Sequence, residues 1–335
     1  MDRRTLLALA LTAIVIVLTP MLFPAPRQQR RPADTSRGER PETTKTQAPS
    51  VPAPTQPQPS IGAPTRTAPA PTVGAETTTV QTQRGIYRIV SPGGTIASVI
   101  LPEYHSLRRD APRQTPVTLL ENDDRLLRLT LAGDRDTIAL DNVAFRAEPQ
   151  RRMGNVIEQS LTSVSSQYPI TLTYRFPVDS FVAHLTGSVA ASSPQKWRLL
   201  VAFPARIRTE EADTVDDTRH LAVGFKAGSA EVQSVSFRQL DPGATRVDTG
   251  TIRWVAERNK YFVVAAMPEL RDSAFQALVM RGGVRNTKEA THAYTTAVLP
   301  LTSGTFALKV YAGPQSWAHL HTTAPDLENV NPYGG

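Results

Sequence analysis

From Ile86 to Tyr311 the sequence is divided into short runs rich in β-branched and aromatic residues, separated by Gly, Pro, Asp and Asn. Examples are I-Y-R-I-V (86–90), T-I-A-S-V-I-L (95–101), I-T-L-T-Y-R-F (170–176), W-R-L-L-V-A-F (197–203), Y-F-V-V-A-A-M (261–267) and F-A-L-K-V-Y (306–311). Many alternate apolar with polar residues, the period of a strand with one buried face. Leu127, Leu129 and Leu131 fall on one side of their run, and Leu126, Arg128 and Thr130 on the other. No ten-residue amphipathic helix pattern interrupts the series between 86 and 312. About fifteen strands without helical crossovers predict an all-β fold, a large antiparallel sandwich of face-packed sheets. A closed barrel suits this size less well. After Tyr311, G-P-Q-S-W-A-H-L (313–320) predicts one short helix, with Pro314 in its first turn and Trp317, Leu320 and His321 on one face.

The first quarter of the chain differs in kind. Arg3 and Arg4 precede an uncharged, mainly apolar run from Thr5 to Phe23, 19 residues long, against the ~20 that cross a bilayer core as a helix. A cleaved signal peptide is the competing reading, but prolines at 24 and 26 suit a cleavage site poorly and favour a retained anchor over residues 1–23. Basic residues flank the run on both sides, so charge alone leaves its orientation open. From 24 to 83 the chain is Pro, Thr, Ala, Gln and Ser, holding twelve of the 28 prolines between Pro24 and Pro71 and no aromatic residue after Phe23. Such a segment buries too little apolar area to offset its ordering entropy, and is expected to be a disordered, semi-stiff linker.

Charge narrows the function further. Of the 37 Lys and Arg and 30 Asp and Glu, residues 1–84 hold ten and five, which leaves 27 against 25 for the folded part. The formal charge of +7 therefore sits mostly in the anchor and linker, and nucleic acid is not an expected partner. The absence of cysteine excludes disulfides, thiolate catalysis and cysteine metal sites. No H-E-x-x-H, G-x-S-x-G or phosphate-loop pattern occurs. His319 and His321 are two apart and diverge on a helix, and His184 lies mid-strand as a structural or solvent-facing residue. E-N-D-D (121–124) and E-E-A-D-T-V-D-D (210–217) are acidic, but the second lacks the glycine and terminal glutamate of a calcium loop and is expected to be an exposed acidic loop. No catalytic residue, metal or cofactor is expected.

Three stretches in order carry a resemblance. G-G-T-I-A-S-V-I-L-P-E-Y-H-S-L (93–107) contributes Gly94, Ile96, Val99, Leu101 and Tyr104. W-V-A-E-R-N-K-Y-F-V-V-A-A-M-P (254–268) contributes Lys260-Tyr261-Phe262 and Pro268. V-Y-A-G-P-Q-S-W-A-H-L…D-L-E-N-V-N-P-Y-G-G (310–335) closes the set. With the anchor and linker before them, these resemble the N-terminal half of the bacterial YidC membrane protein insertases, of the YidC/Oxa/Alb group. The resemblance implies one transmembrane helix, then a periplasmic β-supersandwich (84–313) of galactose-mutarotase-like fold, then a C-terminal helix and connector (314–335). It implies an inner-membrane protein with a cytoplasmic N-terminus and with residues from about 24 onward in the periplasm. Lipid around residues 5–23, components of the Sec translocon and nascent membrane proteins are the implied partners. Gly313, Pro314, Trp317, Leu320 and Leu327 would form a segment that couples the domain to a membrane core, or merely cap the sandwich.

Insertase activity in that group belongs to a later five-helix core. Past Phe23 the longest uncharged apolar run, Tyr261 to Pro268, spans eight residues, well short of a membrane span. The chain alone is thus expected to assist insertion as a scaffold, partner-docking or chaperone module and not to insert proteins. Its ending reads as a cut ahead of a second membrane segment. A tethered glycan- or peptide-binding module is the alternative, and a mutarotase-like sugar enzyme, needing a histidine and a carboxylate across a cleft, is the weakest reading.

Overall fold

A computed structural model describes residues 76–331, apart from 121–123, 135, 165–167, 191–195, 284 and 286–289. The expected anchor, nearly all of the expected linker and the last four residues lie outside the described residues, as does most of E-N-D-D. No helix among the described residues is long and apolar enough to cross a membrane.

Nineteen strands occur among the described residues, and every ladder joining them is antiparallel. Four strands, Glu76–Gln81, Ile86–Ser91, Thr95–His105 and Pro116–Thr118, form a small meander. The other fifteen form one continuous sheet. Its middle runs, neighbour to neighbour, through Phe275–Gly282, Thr245–Arg258, Phe262–Pro268, Thr305–Pro314, Val182–Val189, Ile170–Pro177 and Val156–Ser163. The small sheet packs onto the large one. Tyr87 meets Phe176 with ring centroids 4.7 Å apart, the Tyr174 hydroxyl donates to Gly94 O at 2.9 Å, and Phe145 N donates to Ser91 Oγ at 2.9 Å. Buried Tyr87, Phe145, Phe176, Trp254 and Phe306 belong to one core. The all-β sandwich expected from the alternation is the fold observed.

Gly94 shows how local chemistry sets this packing. It has φ +60° in the turn between Ile86–Ser91 and Thr95–His105, and a Cβ there would lie 2.7 Å from Leu172 Cδ1. The turn requires a left-handed residue, and the sheet above leaves no room for a side chain.

Three expectations are corrected. The linker does not extend to 83, because E-T-T-T-V-Q (76–81) pairs along its whole length with Ile86–Ser91. Three β-branched threonines favour the extended chain, and Val80 alone of the six is buried. Leu126 does not share the side of Arg128 and Thr130. It is buried, because its N–H bonds Ile96 O of the small sheet at 2.8 Å before the strand Arg128–Ala132 begins. The acidic stretch 210–217 is not an exposed loop either. Its end opens a six-residue helix, Thr214–Arg219, capped by the Asp213 carboxylate accepting from Asp216 N, with Glu210 and Asp217 buried.

Candidate functional site

The three family-bearing stretches, 93–107, 254–268 and 310–335, are far apart in sequence, yet they meet. Phe262 pairs with Pro314 and Val263 with Gly313 in adjacent strands. Tyr104 comes over them from the small sheet, its ring 5.9 Å from that of Phe262 and nearly perpendicular to it. Tyr104, Phe262 and Pro314 border a cleft of ≈ 700 Å³, with Lys260, Tyr261 and Gln315 along its wall.

Asn259 builds that wall. Its Oδ1 accepts from Tyr261 N at 3.1 Å and Phe262 N at 2.8 Å, and its Nδ2 donates to Arg208 O at 3.2 Å. An Asn side chain that imitates a backbone turn in this way lets the chain reverse between two long strands. Gln315 then fastens the far side, with its backbone N donating to Tyr261 O at 2.6 Å and its Nε2 donating to Asn259 O. The Tyr311 hydroxyl donates to Pro314 O at 2.6 Å. The turn and the start of the C-terminal segment are therefore one hydrogen-bonded unit.

Charge around the cleft is paired internally. Lys260 Nζ lies 2.8 Å from Asp216 and 5.1 Å from the centre of the Tyr261 ring. Asp216, and then the Tyr261 hydroxyl, hold this ammonium above its ordinary range. Lys260 in turn holds the Asp216 carboxyl below its own. Asp217, one residue on, is buried and accepts from Lys260 N at 3.1 Å. Burial pushes its carboxyl up, against that hydrogen bond. Burial likewise raises Glu211, which also lines the cleft.

The expected coupling residues divide between core and surface. Gly313 and Pro314 end the strand Thr305–Pro314, so Pro314 is a strand residue and not the first turn of a helix. The helix is Trp317–Thr323. Trp317 and His321, four apart, stack outward with centroids 4.5 Å apart, while Leu320 is buried. Trp317 and Leu320 thus lie on different faces, because the helix is too short to sink more than one side. A 3-10 turn, Leu327–Val330, follows, and both of its apolar residues are fully buried. Trp254 Nε1 donates to Pro325 O at 3.0 Å, and Lys226 pairs with Asp326 at 2.7 Å.

Gly313 is fixed by its neighbour: a Cβ there would lie 2.7 Å from Cγ and 2.8 Å from Cβ of Phe181, the root of a buried side chain that cannot swing away. Gly313→Ala is expected to lower stability by about 1–3 kcal/mol through overpacking, measured by denaturant unfolding of the chain.

Asn259, Gln315 and Phe181 were not singled out in the sequence. The first two adjoin motif residues, which is the one signal that pointed toward them; nothing local marks Phe181. Of the six histidines only His105 lines the cleft, beside Glu210 and Glu211. His184 Nδ1 lies 2.8 Å from Glu269; burial disfavours that carboxylate, but His184 and Lys309 outweigh it and lower its pKa. His319 packs edge-on against Phe181 at 5.1 Å. Among the described residues no group of His, Asp and Glu is arranged to hold a metal ion.

Fold and site together define a large antiparallel β-sandwich domain with its C-terminal segment folded back into the core. The sequence matches the YidC periplasmic domain family over residues 77–335, and the chain belongs to that family. It is 24% identical over 351 residues to the membrane protein insertase YidC of Chlorobaculum parvum, covering 100% of this chain and 57% of that protein. It is 27% identical over 267 residues to that of Prosthecochloris aestuarii, covering 73% and 43%. The chain thus spans a little over half the length of the relatives it matches end to end. Among solved structures it is similar to a galactose mutarotase-like protein from Lactobacillus casei, at 10% identity and TM-score 0.45 over 71% of this chain and 100% of that one. A second such protein, from Clostridium acetobutylicum, matches at 8% identity and TM-score 0.42 over 71% and 97%.

Proposed function

We propose that this domain assists the insertion and folding of inner-membrane proteins as a non-enzymatic scaffold on the periplasmic side, held to the membrane by residues 5–23 with the N-terminus in the cytoplasm. The Sec translocon and nascent membrane proteins are its partners in this reading, and Gly313, Pro314, Trp317, Leu320 and Leu327 carry the coupling between the sandwich and the membrane. The observation behind it is the way residues 313–331 are built in. Leu320, Leu327 and Val330 sit in the sandwich core, Trp254 and Tyr311 hold the backbone at Pro325 and Pro314, and Lys226 pairs with the Asp326 carboxylate. A segment held at this many points transmits position; a loose connector does not.

The test is a chimaera in which this chain replaces the matched stretch of the Chlorobaculum parvum insertase, expressed in cells depleted of their own insertase. Growth is expected to be restored, and to be lost on Leu320→Asp or Leu327→Asp while Met153→Asp, at an exposed position in another strand, leaves it intact. Equal rescue by all three variants would contradict the coupling role.

A further inference from the structure

The cleft end of the sandwich keeps large apolar side chains in water. Leu107, Val215, Tyr261 and Trp317 are 61%, 52%, 46% and 57% exposed, and they come from four separate segments. Leu107 and Tyr261 line the cleft, Trp317 follows the cleft residue Ser316, and Val215 precedes Asp216, the partner of Lys260. Apolar surface gathered from several segments and rimmed by polar groups marks a docking face. Charge decides what docks there. Lys260 is satisfied by Asp216 at 2.8 Å and Arg208 reaches Glu210 at 3.3 Å, so both of these cations are paired with acids of the same face. Such a face has little to offer an anionic partner and suits a zwitterionic headgroup layer. Trp and Tyr rings beside a long-stemmed Lys are the side chains that settle at a bilayer interface. The sequence also carries a bilayer-length apolar run, Thr5–Phe23, so the chain itself brings a lipid surface to high local concentration and a weak contact suffices.

We propose that this aromatic end rests on the bilayer, with Leu107, Tyr261 and Trp317 entering the headgroup layer of zwitterionic lipid. The proposal builds on the reading of the chain as a membrane-held domain, and deepens it by naming the face that meets the lipid.

The protein contains its own probe. Of its three tryptophans, Trp197 and Trp254 are buried and Trp317 is exposed. The full chain is reconstituted in phosphatidylcholine–phosphatidylethanolamine vesicles containing lipid brominated close to the headgroup, and tryptophan emission is recorded. Brominated lipid is expected to quench the Trp317 emission, and Trp317→Phe to remove most of that quenching. Leu107→Glu is expected to weaken it with the circular dichroism unchanged. The quenching should persist between roughly 0.1 and 1 M salt, where surface electrostatics are screened. Three results overturn the proposal: no quenching by lipid while aqueous acrylamide still quenches Trp317, the same quenching in Trp317→Phe, or quenching that needs anionic lipid and vanishes in salt. The first is also the outcome if the face serves a protein partner. Failed rescue by the chimaera together with intact lipid quenching would sink the insertase reading and leave this one standing; the reverse pair would do the opposite.

Discussion

Leu327→Ala is expected to lower the stability of the domain by about 2–5 kcal/mol, the range for removing a fully buried leucine, although the residue lies only eight positions before the last of the chain. Its side chain is fully enclosed. The 3-10 turn that carries it is bound at its start: Leu327 N donates to Ala324 O at 3.2 Å, and Asp326, left-handed at φ +63°, pairs with Lys226. Val330, one turn on, packs over Gly224, so closely that a Cβ on that glycine would lie 2.8 Å from Val330 Cγ2. The cost of the gap that alanine leaves is expected to fall within that range. Urea unfolding of wild type and variant measures it. A change within about 0.5 kcal/mol, the scale of a surface substitution, would mean that the segment is not part of the cooperative core.

Glu257→Gln is expected to change the pH dependence of stability. Glu257 lies in the strand Thr245–Arg258, 1% exposed, and neither of its carboxyl oxygens has a hydrogen bond. Thr295 stands beside it without hydrogen-bond geometry, its own hydroxyl also unpartnered. Burial raises the carboxyl well above its ordinary value of 4.5, a nearby Asp124 adds to the rise, and Thr295 opposes it. The folded state thus holds a proton that the unfolded state releases above that value. Because the unfolded chain then binds fewer protons, stability falls as pH rises. Below pH ~4 both states are protonated, and the glutamine variant should match wild type. Above it the wild type should lose ground until the folded carboxyl itself ionises, so the variant should gain stability relative to wild type as pH rises toward neutral. Comparing the two proteins removes the contributions of the other carboxylates, several of which slope the other way. Parallel curves across pH 4 to 8, a range spanning the ordinary carboxylate values, would show Glu257 ionised or solvated in the native state.

Much of the fold could be read from the order of residues because a strand with one buried face writes its period into the sequence. Leu127, Leu129 and Leu131 are all buried, as their spacing requires. The strand Glu76–Gln81 was not legible because an edge strand with one buried residue has no apolar period to show. Acidic residues misled for a related reason. Asp217 and Glu257 look like surface carboxylates in sequence, and only the long-range packing that encloses them reveals otherwise. The site was legible in its parts. Lys260-Tyr261-Phe262 and Gly313-Pro314 stood out, but the pairing of Phe262 with Pro314 is set by strand order in the sheet, which no local pattern encodes. The outward turn of Trp317 was missed because a helix of seven residues leaves two faces equally open until the core takes one.

Hydrogen exchange of the intact chain, followed at the amides of Gln315, Leu320 and Leu327, tests most directly whether the C-terminal segment belongs to the sandwich. These amides donate to Tyr261 O, Ser316 O and Ala324 O. The account predicts that they exchange as slowly as those of the strand Phe262–Pro268, opening only with the whole domain. Exchange at the rate of an unfolded peptide, with that strand still protected, would contradict it.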